Sequence, residues 1–414
     1  MKKILCSALL GSAVGAVGLT ACDATPPPNA ALSTPVPAEA IPPGETLVAV
    51  VRKSLAEIVR DPDPYSRARR LGALLPTLGP DFVPAAKQTL GDLTVDLRGL
   101  DLELLLRYWA TYEPEAASNW ALKESPFNYR EAALFAAVSV WAQEDPPAAL
   151  EAVWPWADMA GIESVIPIAL VRGWYATGDP PELRRFLRDI PLDILGQRAL
   201  AAYIRVVIER QGSDAVKRWA EALPERTVDD KSYKMAVFRR VVDALSQLDV
   251  EGAIAWCDLH CNGPYGADMR HLIARNWALY DGPAALAWLS GAPPGYERDL
   301  AVRVTFTQWA QTDREAALAW MAGQTAGEPP PWVKAAYPAY ARLLSGEQPL
   351  EAIKWAEKIE DQNERERVVI GVARVWRSLD EAAAEKWLLQ STLSEEAREK
   401  ARTAPPPTAP LVNE

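Results

Sequence analysis

Histidine is nearly absent from this chain, with only His260 and His271 among 414 residues. Histidine-based acid–base or nucleophilic chemistry would have to run through one of those two. The sequence has no Gly-rich phosphate loop, no His-Glu-x-x-His, and no Cys-x-x-Cys or Cys-x-x-Cys-His spacing. The usual signals for nucleotide, zinc and c-type haem sites are therefore missing, and no cofactor is expected. Basic charge is in deficit, 44 Lys and Arg against 55 Asp and Glu. That balance argues against nucleic-acid binding and against lying flat on anionic lipid. Cysteine is scarce as well: Cys6, Cys22, Cys257 and Cys261 are the full set.

What the chain does have is a recurring pattern. Trp141-Ala-Gln-Glu-Asp145-Pro-Pro-Ala-Ala-Leu returns as Trp277-Ala-Leu-Tyr-Asp281-Gly-Pro-Ala-Ala-Leu-Ala-Trp288. It returns again as Trp309-Ala-Gln-Thr-Asp313-Arg-Glu-Ala-Ala-Leu-Ala-Trp320 and as Trp376-Arg-Ser-Leu-Asp380-Glu-Ala-Ala-Ala-Glu-Lys-Trp387. The residue seven beyond the acid falls at Trp120, Ala152, Phe186, Trp219, Trp256, Trp288, Trp320, Trp355 and Trp387. Spacings of 32 to 37 residues between those positions define about nine units. Self-similarity at this period is the signature of a repeat architecture.

Each unit reads as two helices. The acid suits an N-cap, because its side-chain oxygen accepts a free N–H of the first turn, and proline after it (Pro146, Pro180) suits the first helical position. Ala-Ala-Leu-x-Trp then places apolar groups at helical spacing in this helix A. Helix A ends at turns such as Leu223-Pro224 and Glu328-Pro329-Pro330. Helix B shows its apolar stripe at Val368, Val369, Val372, Ala373 and Trp376. A helix pair cannot cover its own apolar face, so stacking is obligatory. The period and helix pair resemble the tetratricopeptide (TPR) family and its relatives over roughly residues 100–390. That resemblance implies an all-α fold, a right-handed α-α superhelix (TPR-like solenoid) of about nine two-helix repeats. The Leu-Gly-x-x-Tyr of a TPR helix A is replaced here by Ala-Ala-Leu-x-Trp, so no TPR contact residue carries over.

Lys2-Lys3, the apolar stretch Ile4–Leu19 and then Leu19-Thr20-Ala21-Cys22 resemble a bacterial lipoprotein signal with its lipobox. The resemblance implies cleavage before Cys22, acylation of Cys22, and anchoring to a lipid bilayer at the periplasmic or extracellular face. Asp23 favours inner-membrane retention in some lineages, so the choice of membrane stays open. The expected organisation is a signal peptide (1–21), lipidated Cys22 with a Pro-rich tether (22–46), and an N-terminal helical cap (47–100). The repeat array (101–390) and a capping helix with a polar tail (391–414) follow. Loss of the signal leaves 42 basic side chains and only Cys257 and Cys261 as free cysteines, in a compartment where disulfides persist.

Three groups of residues are candidate sites. Cys257, His260 and Cys261 end a helix A and His271 opens the following helix B, so disulfide, free packed thiols and a metal site remain open. An arginine ladder, Arg107, Arg172, Arg275, Arg342 and Arg374, stands two residues before a Trp or Leu near the end of helix B. Two residues is 200° on a helix, so the ladder turns away from the core and offers guanidinium groups to partner carboxylates or to the chain's own acids. Arg98, Arg130, Lys234, Arg298 and Arg365 stand eleven before the same anchor type, and there a structural reach to the carbonyl end of helix A is expected. Lytic transglycosylases also carry helical superhelices and a Glu-Ser, but the dipeptides Glu124-Ser125 and Glu163-Ser164 are not followed by that family's Gly-Leu-Met-Gln-like segment.

The expectation is a non-catalytic, membrane-anchored scaffold for an envelope protein or peptide, with a peptidoglycan-active or glycan-binding subunit as the alternative. Cys22→Ala should abolish the acyl mass increment and move the chain from the membrane pellet to the soluble fraction. An unchanged pellet distribution would contradict lipidation at Cys22.

Overall fold

The structure, a computed structural model, describes residues 46–92, 97–266 and 269–403. Cys22, the signal, the tether and the residues after Thr403 lie outside them. The described residues form an all-helical protein with no strand. None of its helices is long and apolar enough to cross a membrane.

Three helices open the fold, α1 (Leu47–Val59), α2 (Pro64–Leu74) and α3 (Val83–Asp92). Then come α4 (Gly99–Tyr112), α5 (Pro114–Lys123), α6 (Arg130–Glu144), α7 (Pro146–Val153), α8 (Val165–Tyr175) and α9 (Pro181–Asp189). The middle holds α10 (Ile194–Gln211), α11 (Ser213–Glu221), α12 (Val228–Leu248), α13 (Val250–His260), α14 (Met269–Trp277) and α15 (Gly282–Ser290). The last part holds α16 (Tyr296–Thr312), α17 (Arg314–Gln324), α18 (Tyr337–Leu344), α19 (Pro349–Glu357), α20 (Gln362–Leu379), α21 (Glu381–Gln390) and α22 (Glu395–Thr403). The odd-numbered helices from α5 to α21 are the A helices of the sequence pattern, and the even-numbered ones from α4 to α20 are the B helices.

The even-numbered helices form one continuous row, each packing on the next from α4 through α22; the A helices α5 to α15 and α19 lie against the B helices before and after them, while α17 packs on α16 and α21 on α20. Buried apolar residues cluster in chain order, the first group spanning Val51 to Leu170, the next Val171 to Ile273, the next Ala274 to Ala384. Ile370, Ala373, Leu388, Ala397 and Ala401 close the far end under α22. Small residues let the row pack tightly. A Cβ on Gly173 of α8 would come within 2.2 Å of the Ser139 carbonyl oxygen of α6.

At six of the nine boundaries the corner between B and A is a single residue. Asp313 donates its backbone N–H to the Trp309 carbonyl (2.8 Å), closing α16. Its carboxylate accepts the Ala316 N–H (3.0 Å) and its carbonyl the Ala317 N–H (3.1 Å), opening α17. Asp145, Asp249, Asp281 and Asp380 cap their helices through the same side-chain bond. The tryptophans on either side of the corner then meet: the rings of Trp309 and Trp320 lie 6.0 Å apart, Trp109 and Trp120 6.1 Å, Trp376 and Trp387 6.2 Å, and Trp277 and Trp288 6.4 Å. Each such indole contributes roughly 2–3 kcal/mol of apolar burial.

Not every corner follows the rule. Glu113, one methylene longer, makes no cap bond and accepts the Trp109 indole N–H (2.9 Å) and the Lys87 ammonium (3.0 Å) instead. Those bonds hold its carboxyl below the ordinary glutamate value, the indole contributing most. Pro180 is the N-cap of α9 and Pro181 its first residue, one position later than the pattern implies. Asp179 is thereby displaced from the cap and accepts the Tyr203 hydroxyl (3.1 Å).

Asp313→Ala should cost about 1 kcal/mol, within roughly 0.5–2, because an N–H of α17 loses its partner. Gln348 forms a corner without a side-chain cap. Gln348→Asp should therefore stabilise by up to about 1 kcal/mol. Urea midpoints together with hydrogen exchange of the α17 and α19 amides would check both.

Candidate functional site

Four of the five ladder arginines are engaged with a neighbouring helix of the row. Arg107 of α4 donates to Ser139 Oγ of α6 (3.4 Å), and Arg172 of α8 pairs with Glu209 of α10 (2.7 Å). Arg275 of α14 lies 3.4 Å from Asp243 of α12, and Arg374 of α20 donates twice to the Lys400 carbonyl of α22 (3.0 and 2.8 Å). Other B-helix residues extend the seam: Asn276 donates to Asp243 Oδ1 (3.0 Å) and Ser246 Oγ (2.7 Å), and Arg240 donates to Gln197. At these four positions the ladder meets the chain's own groups, the second of its two expected roles, and forms a polar seam between stacked helices.

Arg342 of α18 is the exception. Among the described residues its guanidinium has no hydrogen-bond or ion-pair partner. Burial first, and then the like charges of Arg303 and Arg367, pull its pKa below the usual arginine value, against the opposing attraction of the Glu364 carboxylate. It lines two adjoining cavities, one of about 530 Å³ and one of about 230 Å³. A third cavity of about 400 Å³ joins the first through Tyr296, Arg303 and Glu364. This groove over α16, α18 and α20 is the candidate site. Apart from Arg342 and Arg298, the residues that shape it were not singled out from sequence. The available signal was Pro338 inside a helix B, which forces that helix to start late.

The second basic set behaves as expected at three of its positions. Arg130 donates to the Ser125 carbonyl (3.3 Å), Lys234 to the Glu221 and Leu223 carbonyls (2.9 and 3.2 Å), and Arg365 to the Ile359 carbonyl (2.6 Å). Each reaches the end of an A helix, where carbonyls lack helical partners. Arg298 turns to Asp299 (2.9 Å) instead, and Arg98 donates to the Leu97 carbonyl (3.5 Å).

Cys257 and Cys261 are joined as a disulfide with Cα atoms 4.7 Å apart, both residues buried. His260 faces Glu221 through Nε2 (3.0 Å), and the same carboxylate oxygen accepts the Trp256 indole N–H (2.8 Å). Burial pushes the Glu221 carboxyl up, but those two bonds outweigh it and the net shift is downward. His271 sits in the first turn of α14. Of the three alternatives left open, the structure carries the disulfide. Both sulfurs are spent on one another, His260 is directed at Glu221, and no three His, Cys, Asp or Glu among the described residues group to hold an ion.

The Glu-Ser dipeptides serve helix ends. Ser125 donates to the Ala121 carbonyl (2.5 Å) at the end of α5, and Ser164 is the N-cap of α8. Backbone hydrogen bonds at Glu163 and Gly161 hold the Glu163 carboxyl below its ordinary value, the opposite of what a general acid needs.

Lys234→Met should destabilise by about 1–3 kcal/mol, because it strands buried carbonyls. Arg342→Met should be neutral or stabilising by up to about 1 kcal/mol, because it removes a partly buried charge with no partner. Thermal melts of the two variants beside the parent would test the contrast. Comparison with family models, curated proteins and solved structures finds no match, so the groove and its unpartnered arginine are read from their own chemistry.

Proposed function

We propose that this protein is a non-catalytic helical scaffold that binds a protein or peptide of the cell envelope. In this reading acylated Cys22 tethers it to a bilayer, facing the periplasm or the cell exterior. Its body is a right-handed α-α superhelix of about nine two-helix repeats. The observation that carries the proposal is the open groove over α16, α18 and α20, where Arg342 presents hydrogen-bond donors that the described residues leave unused.

Several features support the reading. The apolar clusters follow one another in chain order, as stacking of neighbouring units requires. The B helices run as one row, so a partner could meet many shallow contacts along a rigid surface. Among the described residues, every Asp or Glu with a shifted pKa is shifted downward, including Glu163, Glu221 and Glu225. Such carboxylates are stabilised as anions, which suits structural ion pairs better than proton transfer. A disulfide is compatible with an oxidising compartment.

Photocrosslinking in cells tests the scaffold directly. A photoreactive residue replacing Gln308, which lines the groove, should capture a distinct partner, while one replacing the exposed Glu357 on α19 should not. Equal capture at both sites, or capture at neither, would overturn the groove as the binding face.

A further inference from the structure

The groove has a specific shape because α18 is short. It spans eight residues, whereas α16 has 17 and α20 has 18. Pro338 in its first turn and Pro329-Pro330-Pro331 upstream keep the α-helix from extending toward its N-terminus, and Pro331–Ala336 forms a 3-10 turn instead. The two long neighbours therefore meet above it, where Arg303 of α16 pairs with Glu364 of α20. Arg342 lines the cavity of about 530 Å³ together with both residues of that bridge and with Thr307 and Arg367.

The charges in this notch do not cancel. Glu364 is taken by Arg303, and Asp361 accepts the Glu364 backbone N–H as the cap of α20. Arg342 and Arg367 have no hydrogen-bond or ion-pair partner among the described residues. A half-buried guanidinium in this state is costly until an anion arrives, and a planar carboxylate matches its fork of donors.

The second cavity, of about 230 Å³, shares Thr307 and Arg342 with the first and is otherwise walled by Ala310, Ala339 and Leu343 together with Gln311 and Arg314. A charged chamber and a largely apolar one thus meet at the same arginine. A C-terminal amino acid has this pattern, because its carboxylate and its side chain branch from one Cα. A phosphate ion has no apolar part to place. Thr307 already donates its hydroxyl to the Arg303 carbonyl (2.8 Å), which leaves its oxygen free to accept an N–H from a peptide backbone.

We propose that the notch over α18 binds the free C-terminal carboxylate of a peptide whose last side chain is aliphatic, with Arg342 as the anchoring donor. The proposal rests on the scaffold reading and names its ligand.

The test uses the purified full chain and fluorescence anisotropy of a labelled Gly-Ser-Ala-Ala-Leu peptide. The free acid should bind, and its C-terminal amide should bind at least about tenfold more weakly, the loss of one charge-assisted contact. A Gly-terminated free acid should also lose several-fold. Arg342→Gln should reproduce the amide defect, whereas Arg374→Gln, whose partner is Lys400, should leave affinity unchanged. Equal binding of acid and amide would overturn the proposal, and so would an unaffected Arg342→Gln. Displacement by millimolar inorganic phosphate with no dependence on the last side chain would mark a simple anion site and also overturn it. The ligand series needs no variant, so a folding defect in Arg342→Gln cannot mask the answer. If Gln308 captures a partner in cells while acid and amide bind alike, the scaffold stands and the ligand class is wrong. If the acid-selective binding holds while Gln308 captures nothing, the carboxylate site stands and the cellular role fails.

Discussion

The fold depends on a corner one residue long. At Asp313 a single residue ends one helix with its N–H, begins the next with its carboxylate and carbonyl, and leaves no slack between them. Because both helices leave the same residue, the side chains four before and seven after it are held close enough for two indoles to meet. The cap is worth about 1 kcal/mol and the aromatic pair beyond its area burial a similar amount. Neither is large alone, but the same corner recurs at Asp145, Asp249 and Asp380, and the same cap bond at Asp281. Where the acid changes, the geometry adapts: Glu113 exchanges the cap for the Trp109 indole N–H.

The rigid corners bring the B helices into one row, and that row determines what its polar side chains can do. With Gly173 almost touching the α6 backbone, arginines on adjoining helices find acids, amides and carbonyls of the next helix within reach. Partners drawn from inside the protein leave little for an outside ligand. The seam is therefore a stabilising feature, each exposed pair contributing modestly. Where α18 is cut short, the row opens into the groove that Arg342 lines. There Arg342 keeps its place in the repeat but loses the neighbour that would have satisfied it, so the same sequence position is structural in four units and unpartnered in one.

The helices and their corners were legible in the sequence. Asp followed three and four residues later by amide donors, tryptophan at fixed offsets, and Lys234 or Arg365 eleven residues before an anchor all act within one or two turns of a helix or across one turn. The opening helices α1 to α3 and the polar helix α22 were also readable, because capping residues and apolar spacing are local signals. Pro180 is expected at the first helical position of α9, but it is the N-cap and the helix starts at Pro181, a one-residue shift that the repeat pattern does not signal.

By itself, then, the sequence determined the class of the protein, the positions of its helices and the residues that cap them, since these follow from hydrogen bonds between residues three to five apart. Tertiary structure alone decided the fate of each ladder arginine. The partners of Arg107, Arg172 and Arg275 lie 32, 37 and 32 residues away, on helices whose relative rotation no periodicity specifies. Packing likewise set His260 against Glu221, 39 residues away, and Arg303 against Glu364, 61 residues away. Offsets along one helix give a direction; only the neighbouring helix determines what stands in that direction.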